Sequence, residues 1–417
     1  MNFAGMESSL VSRIVQVFAG AADFTEIVVQ LAVAAGAPHA SAAQAQQAGP
    51  QTWTVTIGAA FSTTPGEKPN WYAMKFYPEN LTIREGDTVV WKTNSGTEPH
   101  NVVFLGNEEF PQSPLPEPAA DGTVRLLENP KVIFKQGGDT YDGTAYTGSG
   151  FMADGLPTPK EFKLTFPKAG SYDFLCTLHS SPGPDGKLSG MVGNITVVAA
   201  GADLPQTPAE VEQAAKAAIA ADAQKANELT SHVQGMAMPA TEGPNGTRVH
   251  HVMAGHMDME NKLEYQRFIP EQLTVSAGDT YGFRFGGSSN DNLVDPGTVE
   301  WTTHAFHTVT FGEEPEFITL ETQNGQAKAY YNPVAVMPTG QKTHTGQGLY
   351  NSGILVAQLP PNAPPFMTDK FTLTFEAEGR YEYICAPHYP NGMDGTVIVQ
   401  ARAQTEPAAR TSSSASA

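Results

Sequence analysis

The stretch YEYICAPHYPNGMDGTVIV, residues 381–399, places Cys385 three residues before His388 and eight residues before Met393. Apolar residues alternate with polar ones on both sides, which is the pattern of two β-strands joined by a loop. The loop therefore gathers a thiol, an imidazole and a thioether within nine residues. Two interpretations are open at this point: a turn that contains these residues by coincidence, or a site where they bind one soft metal ion.

The sequence contains a version of this stretch twice. Five segments match between the two halves in the same order: FYPENLTIREGDT (76–88) with FIPEQLTVSAGDT (268–280), EPHNVVF (98–104) with AFHTVTF (305–311), YTGSGF (146–151) with YNSGI (350–354), FKLTFPKAGSYDFLCTLH (162–179) with FTLTFEAEGRYEYICAPH (371–388), and GMVGNITVV (190–198) with GMDGTVIVQ (392–400). An unchanged order of several matches is typical of a duplicated domain.

Each copy is predicted to be all-β. Short β-rich segments are broken by turn dipeptides such as Gly-Asp, and no long helical period occurs inside either copy. The alternation in YDFLC and YEYIC places the two aromatic residues and the cysteine of each segment on one strand face. These features predict two tandem β-sandwich domains.

The predicted organisation has five parts. They are a leader or export signal (1–45), a first β-domain (50–199), a helical linker (200–247), a second β-domain (248–400) and a disordered tail (401–417). In the linker, Thr207 is the predicted N-cap of a helix over 207–233, with Pro208 at its first position and Glu210 closing a capping box. The helix is Ala-rich, so we expect a spacer or a packed strut.

Composition limits the partners and the location. The 417 residues are 40% hydrophobic and carry a formal net charge of −19, which argues against a nucleic-acid partner. No apolar run is long enough to predict a transmembrane segment. Residues 27–38 form a short apolar core before the small-residue sites Ala40-Ser41-Ala42 and Ala43-Gln44-Ala45, which indicates export to the periplasm or the extracellular space. A misassigned start or a simple disordered leader are the alternatives.

Four side chains recur in the same order in both copies. They are His100, Cys176, His179 and Met191 in the first, and His307, Cys385, His388 and Met393 in the second. A disulfide between the only two cysteines would explain neither the recurring histidines nor the methionines. Two imidazoles and a thiolate with a weak axial thioether are the ligand set of a blue copper site. The pattern therefore predicts two copper sites per chain.

Both copies resemble the cupredoxins, the plastocyanin/azurin family of type 1 copper proteins. The resemblance covers residues from about 50 to 199 and 248 to 400, and rests on PHNVVF or FHTVTF followed by C-x2-H and a Met before a Gly-containing strand. It implies a Greek-key β-sandwich in each copy, with Cys, the second His and Met on one loop and the first His from a neighbouring strand. It also implies one-electron transfer, with copper cycling between Cu(I) and Cu(II).

Two positions depart from the family pattern. Eleven residues separate His179 from Met191, where four separate His388 from Met393, so a backbone oxygen could replace Met191 as axial ligand. Family members often have Asn directly after the first His, and Asn101 fits this pattern whereas Thr308 does not. Because hydrogen bonds around the ligands tune a copper potential, we expect the two sites to differ in potential.

Three functions remain as hypotheses. The preferred one is an exported carrier with two type 1 coppers that passes single electrons between redox partner proteins. A copper oxidoreductase, similar to nitrite reductase or laccase, would need an interface copper held by residues such as His304 or His344, but the H-C-x-x-H and H-x-H signatures are absent from the sequence. A copper carrier or store would use the cluster of His250, His251, His256 and three methionines in residues 249–261, although these residues also fit an ordinary strand and core.

Overall fold

The computed structural model describes residues 49–401 except 120, 155, 157, 184, 243–247, 277–279, 286–305, 358 and 360–362, and for 242 and 280–285 it describes the backbone alone. The predicted leader (1–45) and nearly all of the predicted tail lie outside these residues. No helix among the described residues is long and apolar enough to cross a membrane.

The described residues are mostly β-strands, as predicted. The first half contains β1 (Thr52–Phe61), β2 (Trp71–Tyr77), β3 (Asn80–Arg84), β4 (Thr88–Thr93), β5 (Val103–Phe104), β6 (Leu115–Pro118), β7 (Val124–Leu127), the short helix α1 (Pro130–Ile133), β8 (Thr147–Gly148), β9 (Glu161–Thr165), β10 (Gly170–Pro182) and β11 (Leu188–Val198), and the linker helix α2 (Pro208–Gln234) follows.

The second half repeats this order. It contains β12 (Thr241–Glu242), β13 (Arg248–Asp258), β14 (Leu263–Ile269), β15 (Gln272–Ser276), β16 (Thr280–Phe285), β17 (Thr310–Phe311), β18 (Ile318–Gln323), β19 (Gln326–Tyr331), the short helix α3 (Pro333–Val336), β20 (Thr343–His344), β21 (Tyr350–Asn351), β22 (Ile354–Leu355), β23 (Met367–Thr368), β24 (Lys370–Phe375), β25 (Gly379–Ile384), a 3₁₀ turn (Tyr389–Asn391) and β26 (Asp394–Gln400).

Each half forms a β-sandwich, and the two sandwiches share one sheet. The order β20-β24-β16-β13-β14-β2-β1-β4-β9 runs through both halves, with β12 paired to β13. The opposing layers are two five-stranded sheets, β3-β11-β10-β5-β8 in the first half and β15-β26-β25-β17-β21 in the second. The structure therefore has two tandem Greek-key β-sandwich domains of cupredoxin type, joined by a helical linker.

The shared sheet is continuous because β2 pairs antiparallel with β14. Tyr72 lies opposite Glu264, and these two residues occupy equivalent positions in the duplicated segments. Tyr72 and Met74 pack into the hydrophobic core of the second domain. The interface between the domains is thus formed partly by backbone hydrogen bonds and partly by buried apolar side chains.

The linker helix packs against this junction. Thr207 caps its first turn and forms the predicted capping box with Glu210. Its buried residues pack on side chains of β1, β2, β13 and β14, which come from both domains. The Trp71 indole N–H donates to Thr230 Oγ1 over 2.9 Å, and Lys75 Nζ lies 2.8 Å from Asp222. The linker helix is therefore a packed strut, which is one of the two roles expected from the sequence.

A second contact joins the domains at the loops that follow β5 and β17. The segment after β5 forms the hairpin β6–β7, and the corresponding segment of the second domain forms β18–β19. Together they make a four-stranded sheet, order β18-β19-β7-β6. Arg125 pairs with Glu321, and Tyr331 donates a hydrogen bond to the buried carboxylate of Glu128. The two hairpins therefore connect the two sandwiches through a shared four-stranded sheet.

Candidate metal centres

The first centre lies where β10 passes the segment directly before β5, which contains His100. Sγ of Cys176 lies 3.5 Å from Nδ1 of His179 and 3.8 Å from Nδ1 of His100, and the two Nδ1 atoms are 3.1 Å apart. All three residues are buried. Residues distant in sequence are brought together because β10 pairs with β5 at Leu175, which lies directly before the cysteine.

The second centre repeats this geometry. Sγ of Cys385 lies 3.3 Å from Nδ1 of His388 and 3.6 Å from Nδ1 of His307, and the two Nδ1 atoms are 3.0 Å apart. The backbone N–H of His388 donates to the carbonyl of Cys385, so the loop between them closes as a tight turn. In the described part of the chain, two groups of three or more His, Cys, Asp or Glu residues could hold a metal ion, and they are these two triads.

The cysteines are free thiols in different domains, so the disulfide alternative is wrong. Tyr172, Phe174 and Cys176 face one core, as the alternation predicted, and the corresponding residues of YEYIC face the other. Each thiol is therefore held in an apolar interior beside two imidazoles.

Both methionines are fully buried and pack in the same core cluster as the cysteine of their domain. In the second domain the backbone N–H of Cys385 donates to the carbonyl of Met393, which brings the two residues side by side. In the first domain the longer segment extends β10 and β11 into a projecting hairpin, with Ser180 opposite Gly190 and Pro182 opposite Leu188. The added residues therefore lie beyond the centre, and the chain returns at Met191.

Backbone N–H groups face both sulfur atoms. The Asn101 N–H donates to Cys176 Sγ over 3.5 Å, and the Thr308 N–H donates to Cys385 Sγ over 3.3 Å. The side chains of these two residues tie the ligand segments together to different extents. Asn101 bonds the Thr177 backbone N–H and hydroxyl, both at 2.8 Å, and the Val132 carbonyl at 3.1 Å. Thr308 accepts one bond, from the Ala386 N–H, over 2.8 Å.

The groups around each cysteine favour its thiolate form and protonation of the neighbouring imidazoles. Burial opposes ionisation of Cys176, but His179 and His100 outweigh it and lower the pKa of the thiol to about 5. The pKa of Cys385 is lowered in the same way to about 6. Burial works against a charged His179, yet Cys176 and Glu98 raise its pKa to about 10. Metal binding therefore starts from a thiolate, the form that ligates metals.

Two buried carboxylates face the outer edges of the ligand rings. Glu98 Oε1 lies 3.3 Å from His179 Nε2, and Glu98 Oε2 lies 3.7 Å from His388 Nε2 in the other domain. Glu264 Oε1 lies 3.4 Å from His307 Nε2. Burial alone would raise the pKa of both carboxyl groups, but the neighbouring histidines lower it below the ordinary value. A neutral histidine that binds metal through Nδ1 carries its proton on Nε2, so Glu98 is placed to accept a hydrogen bond from His179, and Glu264 one from His307.

The fourth ring has a different neighbour. His100 Nε2 is buried, has no hydrogen-bond partner among the described residues, and lies against Gly58. Gly58 sits in a β-bulge of β1 with φ 62°. The corresponding glycine of β13 is Gly255, also at a bulge, and it lies against His307. In each domain the bulge leaves room for the first histidine.

The remaining histidines lie apart from the triads. His344 is buried among Tyr350, Phe375, Tyr381 and Phe311, with ring centroids 4.1 to 5.2 Å away, so its surroundings are those of a core residue. Within the segment 249–261, Met253 packs under the linker helix and Met257 packs in the core of the second domain. Met253 and Met257 thus face opposite sides of β13, and Met259, after the strand, is exposed. His304 and His39 lie outside the described residues.

Sequence reasoning missed the carboxylates. Glu98 stands two residues before His100, where the second copy has Ala305, and Glu264 stands where the first copy has Tyr72. The signal that could have found them is therefore the difference between two otherwise matching segments. Sequence reasoning also missed Gln266 and Asn391, which donate hydrogen bonds to Glu98.

The triads fit a copper ion. Three donors that share one ion at about 2.0 to 2.3 Å, the metal–ligand range known for zinc, lie about 3.5 Å from each other. The donor atoms of each triad meet this requirement, lying within 4.8 Å of one another in a buried pocket. Imidazole, thiolate and thioether together suit copper in both oxidation states. The fold and the donor set define the class of blue copper proteins.

Comparison with known proteins gives the same class. Residues 67–198 and 366–400 match the family model of copper binding proteins, plastocyanin/azurin family. A plastocyanin of Capsella bursa-pastoris is 29% identical over 125 residues, which are 30% of this chain and 89% of the relative. A plastocyanin of Nostoc punctiforme is 30% identical over 124 residues, 30% of this chain and 65% of the relative. These matches support a relationship of both segments to the cupredoxins, the family that the fold and the donor set indicate.

Among solved structures, an oxidized amicyanin mutant is similar to 35% of this chain, which covers 81% of the mutant's chain at 22% identity. The TM-score of 0.18 is too low for an argument about the fold.

Proposed function

We propose that this protein carries two type 1 copper centres and passes single electrons between redox partner proteins. The ligands of the first centre are His100, Cys176, His179 and Met191. The ligands of the second are His307, Cys385, His388 and Met393. Bound copper supplies one-electron chemistry, by cycling between Cu(I) and Cu(II).

The observation that carries this proposal is the occurrence of the same buried His–Cys–His triad in both domains. In each triad the donor atoms already face one another at 3.0 to 3.8 Å, so little rearrangement is needed on a change of oxidation state. The surrounding apolar core excludes water from the thiolate. Four protein donors per centre leave no coordination position for a substrate, which favours electron transfer over catalysis at copper.

The test is the visible spectrum of the copper-loaded, oxidised protein, with copper counted per chain. We expect an intense thiolate-to-copper band and two coppers. Cys176→Ser and Cys385→Ser, made separately, should each remove one copper and roughly half of the band. Loss of the entire band with Cys385→Ser alone would mean that the first domain holds no copper, and absence of a band in the wild type would refute the proposal.

The two potentials are expected to differ. The second centre faces two carboxylates, Glu264 and Glu98. In the first domain, the position equivalent to Glu264 is occupied by the uncharged residue Tyr72. A nearby negative charge favours the more positive oxidised state, so the second centre should have the lower potential. Redox titration of the two single-cysteine variants would measure each potential, and a shared midpoint would contradict the expectation.

Export is proposed from the apolar segment 27–38 and the small residues that follow it. Fractionation of cells that express the full chain, followed by N-terminal sequencing, tests this. A mature start shortly after Ala42 or Ala45 in the exported fraction is expected, and an intact N-terminus in the cytosolic fraction would contradict it.

A further inference from the structure

Glu98 is positioned between the two centres. It lies in the first domain, two residues before His100, and the residue is 3% exposed. One carboxylate oxygen lies 3.3 Å from the Nε2 of His179, and the other lies 3.7 Å from the Nε2 of His388. The opposite edges of these rings face Cys176 and Cys385. A single carboxylate therefore touches the outer edge of one ligand ring from each centre.

The carboxylate is held in this position mainly by the second domain. Gln266 Nε2 donates to Glu98 Oε2 over 2.8 Å, and Asn391 Nδ2 donates to the same oxygen over 3.3 Å. Asn391 also donates to Gln266 Oε1 over 2.6 Å, and Thr97 bonds Asn391. Asn391 lies in the segment between His388 and Met393. The ligand loop of the second centre is thus hydrogen-bonded to a carboxylate that also contacts a ligand of the first.

The other buried carboxylate lacks this bridging position. Glu264 lies 3.4 Å from the Nε2 of His307 and contacts no ligand of the first centre closely enough to form an ion pair. Its burial, 1% exposed, matches that of Glu98. The two residues thus form a natural comparison: one carboxylate shared by both centres and one that serves the second centre alone.

We propose that Glu98 is a positioning residue shared by the two copper centres, and that it couples them, so that the state of one centre alters the reduction potential of the other. This inference rests on the proposed function. The Glu98 carboxylate is placed to accept a hydrogen bond from Nε2 of His179, and such a bond sets the orientation and basicity of a ligating imidazole. At His388, 3.7 Å away, the carboxylate acts through its charge. A displacement of Glu98 caused by one ring therefore changes the surroundings of the other ring, and the coupling is reciprocal.

The test is a redox titration in which each centre is followed separately, using Cys176→Ser to isolate the second centre and Cys385→Ser to isolate the first. Glu98→Gln is combined with each. Loss of a buried negative charge favours the reduced form, so we expect both potentials to rise. The expected change is about tenfold in the reduced-to-oxidised ratio at fixed potential, or about 59 mV for one electron.

Two matched controls separate a shared role from a general effect of a lost buried charge. Glu264→Gln should raise the potential of the second centre by a similar amount. It should change the reduced-to-oxidised ratio of the first centre by less than about twofold. Glu128→Gln removes a buried carboxylate at the other interdomain contact, where it bonds Tyr331 and Ser113 and no ligand residue. It should shift neither centre.

Coupling has its own readout. In the wild type, the potential of the second centre should differ between the full protein and Cys176→Ser, because the first centre is then empty. With Glu98→Gln this difference should fall to less than about twofold in the reduced-to-oxidised ratio. If Glu98→Gln does not fold, Glu98→Asp retains the charge but is one methylene too short to reach both rings, and should shift at least one potential and reduce the coupling.

A shift confined to one centre, or equal shifts of both centres with Glu128→Gln, would overturn the inference while leaving two type 1 centres intact. Absence of type 1 spectra would instead overturn the proposed function. The two failures are therefore distinguishable in the same set of samples.

Discussion

Gly255 lies directly against the His307 ring: a β-carbon at position 255 would be 2.1 Å from Nε2 of His307. Gly58 holds the same relationship to His100, with a corresponding distance of 2.7 Å. Both glycines have positive φ, 71° and 62°, at a bulge in the strand that faces the first ligand histidine. The bulge is therefore part of the construction of each centre, since it clears the space that the imidazole occupies.

We predict that Gly255→Ala destabilises the protein by about 2 to 4 kcal/mol, from overpacking against His307 and from the left-handed backbone. It should also weaken or shift the copper band of the second centre, because the ring is displaced. Urea unfolding and the visible spectrum measure the two effects. Gly325→Ala is the control, since Gly325 has φ 77° with no atom within 4 Å of its added carbon. Equal effects on the spectrum from both variants would contradict the prediction.

Asn101 and Thr308 occupy equivalent positions but make three bonds and one bond, respectively. Asn101→Thr retains an acceptor for the Thr177 N–H but loses the two bonds that the amide donates, so we expect about 1 to 2 kcal/mol of destabilisation. Chemical unfolding of the metal-free protein measures this.

The reciprocal change should stabilise little. Thr308→Asn adds an amide, but Ala386 stands where Thr177 does and offers no hydroxyl. A gain of more than about 1 kcal/mol from Thr308→Asn would show that the partner set is different from the one described.

His344 predicts a pH dependence of stability. Burial lowers its pKa to about 4, whereas an unfolded histidine titrates near 6.5. Because the unfolded chain binds the proton more readily, the stability contributed by a neutral His344 is present above pH 6.5 and is lost as the pH falls toward 4. Allowing for solvent screening, we expect this residue to account for about 1 to 2 kcal/mol of lost stability between pH 6 and pH 4.5.

The variant His344→Tyr isolates this effect from the titration of other groups. Tyr141 packs against Phe104, Phe166 and Tyr172 in the first domain, as His344 packs against their counterparts in the second. Denaturation of the wild type and the variant from pH 7 to 4.5 should show a smaller loss in the variant. Parallel pH profiles would mean that His344 does not titrate in this range.

The linker helix depends on one partly buried ion pair. Asp222 accepts two hydrogen bonds from Lys75 Nζ, at 2.8 and 2.9 Å, and one from the Tyr77 hydroxyl at 2.5 Å. Asp222→Ala leaves these donors without their partner, and we expect a loss of about 2 to 3 kcal/mol together with faster proteolysis of the helix.

The exposed pair between Glu212 and Lys216 on the same helix provides the control. Glu212→Ala should change stability by less than about 0.5 kcal/mol. A loss for Glu212→Ala as large as that for Asp222→Ala would mean that the helix is sensitive to any change in charge rather than to its docking contact.

Much of each candidate centre could be predicted because its candidate ligands are marked locally in the sequence. Cys385 and His388 are three residues apart, Cys176 and His179 repeat the spacing, and a methionine precedes a strand in both copies. Repetition excludes coincidence, and donor chemistry then limits the choice of metal. Strand alternation likewise placed the cysteines in the core. The position of Met191 was harder to predict, because eleven residues separate it from His179, and only the pairing of β10 with β11 shows where the chain returns.

The sequence by itself therefore determined the all-β character and predicted the duplication and the candidate ligand set, since these are expressed in periodicity, spacing and residue type. Only the tertiary structure decided how the two domains meet. Pairing of β2 with β14 places Tyr72 opposite Glu264, and packing around this junction brings Glu98 between His179 and His388. The physical reason is that a carboxylate between two distant rings leaves no periodic signal: its neighbours are set by the closure of the shared sheet and by hydrogen bonds from Gln266 and Asn391.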